Sequence, residues 1–288
     1  MSRYELEGPW RRPRNTSAHE QDGIHNDATA QALGFAGGTV AGSIHMEQFP
    51  PFLLQHLGDA WLASGALSLY FRAATTDGEP VRCVGCAPVA HGNIQRMDLA
   101  MLNEAGDLVM DGTASVGGVD AGSALRVRLQ DLRPADDLRV LADVRMDEWC
   151  EPVAVRIPEE GIDRQLAVIT EPMAMFGAPG GGAGRVPPLS TLIHAMRSVE
   201  SELARPRGDF VGLFGAIEIA YSAGQPATGE DYLVTGRALA VSESPKTEVF
   251  WMESVLSDAA TGKERVRMVK MDRIMKASSP LWAASGAD

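Results

Sequence analysis

Residues Gly23 to Gly42 read Gly-Ile-His-Asn-Asp-Ala-Thr-Ala-Gln-Ala-Leu-Gly-Phe-Ala-Gly-Gly-Thr-Val-Ala-Gly. His25 stands just before a short helical stretch that Asn26 and Asp27 are suited to cap, because their side-chain oxygens accept from the free N–H groups of a first turn. Gly34, Gly37 and Gly38 supply the turn that ends this helix. A second, apolar helical segment starts at Gly42-Ser43. Glu20 and Asp22 lie within one turn's reach before the histidine. The stretch therefore gathers a base, two carboxylates and an exposed helix start, which is equipment for moving protons beside a polarised carbonyl.

Outward from this stretch the chain repeats itself. Gly65-Ala66-Leu67-Ser68-Leu69-Tyr70-Phe71 is matched 150 residues later by Gly215-Ala216-Ile217-Glu218-Ile219-Ala220-Tyr221. Both alternate with period two, as half-buried strands do. Each runs on to a turn signal, Thr76–Glu79 or Thr228–Asp231, and then to a strand-like run, Val81–Val89 or Tyr232–Val241. Two further antiparallel hairpins correspond: Gln95–Leu102 with the run to Val116, and Glu248–Leu256 with the run to Met275. An apolar helical stretch precedes each strand set, Ser43–Leu57 (broken by Pro50 and Pro51) and Leu189–Leu203. The repeated unit is a helix followed by four antiparallel strands, an α+β architecture in which a sheet wraps a central helix. The boundaries expected are an N-terminal unit 1–125, a linker 126–164 that holds a possible first strand of the second unit, and a C-terminal unit 165–288.

The chain has 288 residues, 45% of them hydrophobic, enough for two cores. Its net charge of −12, without a Lys/Arg block, speaks against nucleic acid as a partner. No apolar run reaches the 18 residues of a membrane span. The first residues lack the apolar core of a secretion signal, and three scattered cysteines make no disulfide framework. A cytoplasmic protein, monomer or homodimer, without metal or cofactor is the expectation. Cys83 and Cys86 lie in a strand-like run with no second cysteine pair, so no zinc site is expected. Gly177–Gly184 is low-complexity and lacks the ending of a phosphate loop, although Arg185 beside it has the reach for a phosphate. His194, next to Ile193, reads as a buried structural histidine.

The pattern Ile-His-Asn-Asp-x-x-Ala-x-x-x-Gly-Phe-x-Gly-Gly-x-Val-x-Gly, in front of a repeated helix-plus-sheet unit, resembles the MaoC-like hydratases and dehydratases of the hotdog fold. The resemblance implies a tandem (double) hotdog whose N-terminal half keeps the site motif. It places the family's catalytic histidine on His25. The family's aspartate position, five residues earlier, holds Glu20, and an asparagine position three earlier holds Asp22. Gly23 stands for the proline before Ile-His, and Ala41-Gly42-Ser43 for the usual His-Gly-Met.

The activity implied is a hydro-lyase acting on an enoyl or 3-hydroxyacyl thioester linked to CoA or an acyl carrier protein. His25 and one of Glu20 or Asp22 would handle water and protons, and the N–H groups of Gly42 and Ser43 would polarise the carbonyl. Phe35, Val40 and Met46 are candidate walls of the acyl pocket. The altered carboxylate position leaves two other readings open. One is a thioesterase or a cyclase/isomerase of a natural-product pathway on the same fold. The other is a binding module without catalysis.

Overall fold

A computed structural model describes residues 3–19, 23–118, 120–168, 173–177 and 184–283. Its first half runs β1 (Leu6–Glu7), α1 (Asp27–Ala32), α2 (Gly42–Met46), α3 (Pro50–Leu57), α4 (Ala60–Ser64), β2 (Gly65–Phe71), β3 (Val81–Gly85), β4 (Val89–His91), β5 (Ile94–Asn103) and β6 (Leu108–Val116). Next comes α5 (Ala124–Gln130), inside which the expected unit boundary at 125 falls. The second half runs β7 (Val153–Arg156), α6 (Ile162–Leu166), α7 (Leu189–Met196), α8 (Glu200–Ala204), β8 (Gly212–Tyr221), β9 (Asp231–Glu243), β10 (Thr247–Asp258) and β11 (Glu264–Met275). The prolines of the first helical stretch start α3 at its first two positions, where a missing N–H costs nothing. The run from Val81 to Val89 is not one strand, because pairing with β5 stops at Gly85 and resumes at Val89.

All strands join one antiparallel sheet in the order β1-β3-β5-β6-β2-β8-β11-β10-β9-β7, with β4 added on β5. The order reads the same outward from the centre in both directions. The two segments that match in sequence are the central pair, with Leu67 opposite Ile219 and Leu69 opposite Ile217. The repeat thus does more than duplicate a unit, since it also makes the seam.

Period-two alternation gives the sheet two different faces. Leu67, Leu69, Ile217 and Ile219 join one apolar core with Phe49, Phe52 and Leu53 before the seam and Leu192, Ile193 and Met196 of α7. His194 corrects its sequence reading: it is exposed. At 3.6 residues per turn the stripe of Leu189, Leu192, Ile193 and Met196 leaves position 194 on the far side of the helix.

The other face carries Ser68, Tyr70, Ala216 and Glu218, and α5 packs there through Leu125. Ser68 Oγ accepts from the Leu125 N–H at 3.1 Å and Thr113 Oγ1 from the Ala124 N–H at 3.1 Å. Buried Glu218 accepts from Ser123 Oγ and, at 2.9 Å, from Arg126 Nε. Polar side chains of the sheet thereby satisfy the first-turn N–H groups of α5 and tether it.

Candidate active site

The loop carrying His25 is held from three sides. Asn15 Nδ2 donates to the His25 carbonyl at 2.8 Å, and the Thr39 N–H donates to the Ile24 carbonyl at 2.9 Å. Asn26 caps α1, accepting from the Ala28 and Thr29 N–H groups at 3.0 and 3.4 Å. Asp27, expected to share that cap, instead accepts from the Gly38 N–H at 2.7 Å and ties the two ends of the stretch together. A Cβ on Gly38 would collide with the His25 carbonyl, so the glycine permits the close crossing.

The ring of His25 is half-buried, and its Nδ1 lies 2.8 Å from the Thr39 carbonyl oxygen. A carbonyl only accepts, so Nδ1 carries the proton. In the neutral ring Nε2 then keeps its lone pair, and it has no hydrogen-bond partner among the described residues. Three residues after Thr39 the chain enters α2, no more than about 10 Å further along. Ala41 caps α2 without a side-chain bond, and the Gly42 and Ser43 N–H groups have no acceptor among the described residues.

Gly42 has a packing role as well. The space beside its Cα is filled from within the protein, because a Cβ there would sit 2.6 Å from Phe71 Cε2. Glu20 and Asp22 lie outside the described residues, as does most of Gly177–Gly184.

The three expected wall residues do not come together. Val40, 4% exposed, packs with Ile44, Val168 and Phe176 in an apolar cluster that Leu166, Met173 and Val186 extend. Elements from the second half therefore cover the start of α2. Met46 is fully buried in the main core instead, and Phe35 is half-buried at the end of the α1 turn. Arg185 is committed to Asp163 at 2.7 Å, Glu159 at 3.5 Å and the Phe176 carbonyl at 2.9 Å. Cys83 is buried, and burial pushes its thiol up to about 12, which suits a packing residue and not a nucleophile.

Two polar groups of the first central helix were missed. His45 Nε2 lies 2.7 Å from Thr75 Oγ1, while its buried Nδ1 has no partner among the described residues, and burial pushes the imidazole down to about 4, so it is neutral. The Val40 N–H donates to the Thr75 carbonyl at 2.9 Å, so His45 is joined through Thr75 to the chain that carries Thr39. Glu47, 1% exposed, accepts from the Ser190 N–H at 3.1 Å, from Ser190 Oγ, and from Gln165 Nε2 at 3.2 Å. It caps α7, whose own cap residue Pro188 supplies no side-chain bond, and so the central helix of one half closes that of the other. Burial pushes its carboxyl up to about 7 against the pull of those donors. The available signal was a charged residue three positions after Ile44 on an otherwise apolar helix face.

Solved structures share this architecture end to end. A structure from Chloroflexus aurantiacus, described as a MaoC domain protein dehydratase, superposes with a TM-score of 0.63, covering 94% of this chain and 93% of its own at 12% identity. A conserved hypothetical protein of Mycobacterium tuberculosis, described as having a double hotdog fold, gives 0.61 over 96% and 97% at 10% identity. This chain has a double hotdog fold. A third structure, described as a MaoC-like dehydratase, gives 0.55 over 94% and 98% at 11% identity. No family model matches the sequence, and no curated protein matches it. Among the described residues of this double hotdog, no helix is long and apolar enough to cross a membrane. Nor do three His, Cys, Asp or Glu side chains meet there as metal ligands.

Proposed function

We propose that this double hotdog protein is a hydro-lyase that adds water to, or removes it from, the α,β-bond of an acyl thioester carried by CoA or an acyl carrier protein. The observation that carries the reading is the bond between His25 Nδ1 and the Thr39 carbonyl, which leaves Nε2 to act as a base. The dehydratase descriptions of two full-length structural neighbours support the same choice.

In the hydration direction, His25 Nε2 takes a proton from water as the water oxygen bonds to the β-carbon. The C=C electron pair moves toward the thioester carbonyl, and the charge on its oxygen meets the Gly42 and Ser43 N–H groups. The α-carbon then takes a proton, closing the balance as one water added. Glu20 or Asp22 would share the proton work, and the cluster of Val40, Ile44, Val168 and Phe176 would shape the acyl site. The test is a series of 2-enoyl-CoA substrates of increasing chain length. Loss of the conjugated-thioester absorbance with a mass gain of one water supports the proposal. A folded protein that hydrates none of them overturns it, and free thiol release assigns a thioesterase instead.

A further inference from the structure

On the sheet face opposite the central helices, α5 leaves an open groove of about 750 Å³ between itself and the β9–β10 turn, over the strands β10 and β11. Its floor is apolar, with Trp251 and Met271 buried at 1% and 3% exposure. Its walls are cationic. Arg128, Lys246 and Arg273 line it together with a single carboxylate, Asp131, in a chain whose net charge is −12. Among the described residues none of these three cations has an ion-pair partner, whereas the neighbouring Arg72 is held by Asp111 at 2.6 and 2.9 Å.

Two of the cations are also held in place. Arg128 lies 3.9 Å from the centre of the Tyr70 ring and Arg273 lies 4.9 Å from it, while Arg273 also donates to the Tyr70 hydroxyl. Stacking fixes a guanidinium without using up its hydrogen-bond donors. A second, independent feature points to a missing acceptor: the indole Nε1 of Trp251 is buried and has no hydrogen-bond partner among the described residues. Buried N–H groups are rarely left unpaired.

We infer that this groove binds an organic carboxylate with an apolar body, such as a free fatty or aryl acid. Its anionic head would meet Arg128, Lys246, Arg273 and the Trp251 Nε1–H, and its body would lie on the Trp251 ring and Met271. The volume suits a small amphipathic molecule, and neither a purely apolar ligand nor a bare inorganic anion uses both halves of the lining.

Calorimetric titration with decanoate, decanol and inorganic phosphate tests this. Decanoate should bind saturably, and decanol and phosphate each at least about tenfold more weakly, as expected when charge-assisted hydrogen bonds are lost. Arg128→Ala, on the half-exposed side of α5, and Trp251→Phe, which keeps the aromatic floor, should each weaken decanoate and leave decanol unchanged. Equal binding of decanoate and decanol, or decanoate binding that either variant leaves intact, overturns the inference. His25→Gln should leave decanoate binding unchanged, so the outcome is independent of the proposed catalysis. Decanoate binding lost in His25→Gln and retained in Arg128→Ala would place the acid in the acyl site and also overturn it.

Discussion

Replacing Glu47 by glutamine should change how the stability of this protein responds to pH. The carboxyl is 1% exposed between the two central helices and ionises near pH 7 instead of the ordinary 4.5. Below about pH 4.5 the folded and unfolded chains both hold the proton. Between about 4.5 and 7 the unfolded chain has released it and the folded chain has not. The unfolded state then binds fewer protons, and stability falls as pH rises. Above about 7 both states are ionised and the loss is complete. At about 1.4 kcal/mol for each pH unit of displacement, the total is about 3 to 4 kcal/mol, of which about 3 kcal/mol falls between pH 4.5 and 8.

Glutamine is neutral throughout, and its amide oxygen can still accept from Ser190. Subtracting the wild-type melting temperature from that of Glu47→Gln removes every other titrating group. At about 2 to 3 °C per kcal/mol for a chain of this size, the difference should rise by roughly 6 to 9 °C between pH 4.5 and 8. A difference that stays flat, or that falls with pH, would refute the assignment of Glu47 as a buried carboxyl that resists ionisation.

Other consequences are local. Gly42→Ala puts a methyl group 2.6 to 3.0 Å from three atoms of the Phe71 ring and should cost about 1 to 3 kcal/mol in urea denaturation. Trimming the ring in the same chain (Phe71→Leu) should make the double variant lose less than the two single losses together. Lys270 is fully buried between Glu200 at 2.8 Å and Asp272 at 2.5 Å. Lys270→Met strands the buried Asp272, while Glu200 keeps Arg197 at 2.6 Å, and should cost about 3 to 5 kcal/mol; adding Asp272→Asn should recover part of it in the same assay. Glu218→Ala removes the buried acceptor of Ser123 and Arg126, so amide exchange in α5 should accelerate while that of the β2–β8 seam does not.

The strands were legible because alternation is a local property. Gly65–Phe71 and Gly215–Tyr221 each declare two faces within seven residues, and α5 covers the second of them. That the two pair with each other, Leu67 opposite Ile219, is a matter of tertiary register that neither segment encodes alone. The break at Pro50-Pro51 was also local, since proline starts helices. His194 was misread because adjacency to Ile193 along the chain is not adjacency on a helix.

The capping asparagine of the site loop was visible in the sequence, but the tautomer of His25 was not. It depends on a carbonyl 14 residues away being folded back to the ring. Glu47, Arg128 and Trp251 escaped for the same reason, because each takes its meaning from partners more than 50 residues distant. The helix α5 sits in a charged, turn-rich stretch, and what holds it is the outward row of Ser68, Thr113 and Glu218.

The proposal that His25 is the general base is tested most directly by comparing wild type with His25→Gln on a 2-enoyl-CoA that the wild type hydrates. Positioned proton transfer contributes roughly 100- to 10,000-fold. The expected result is therefore a kcat at least about 100-fold lower, with KM little changed and the melting temperature retained. A folded His25→Gln protein with wild-type kcat would contradict the account.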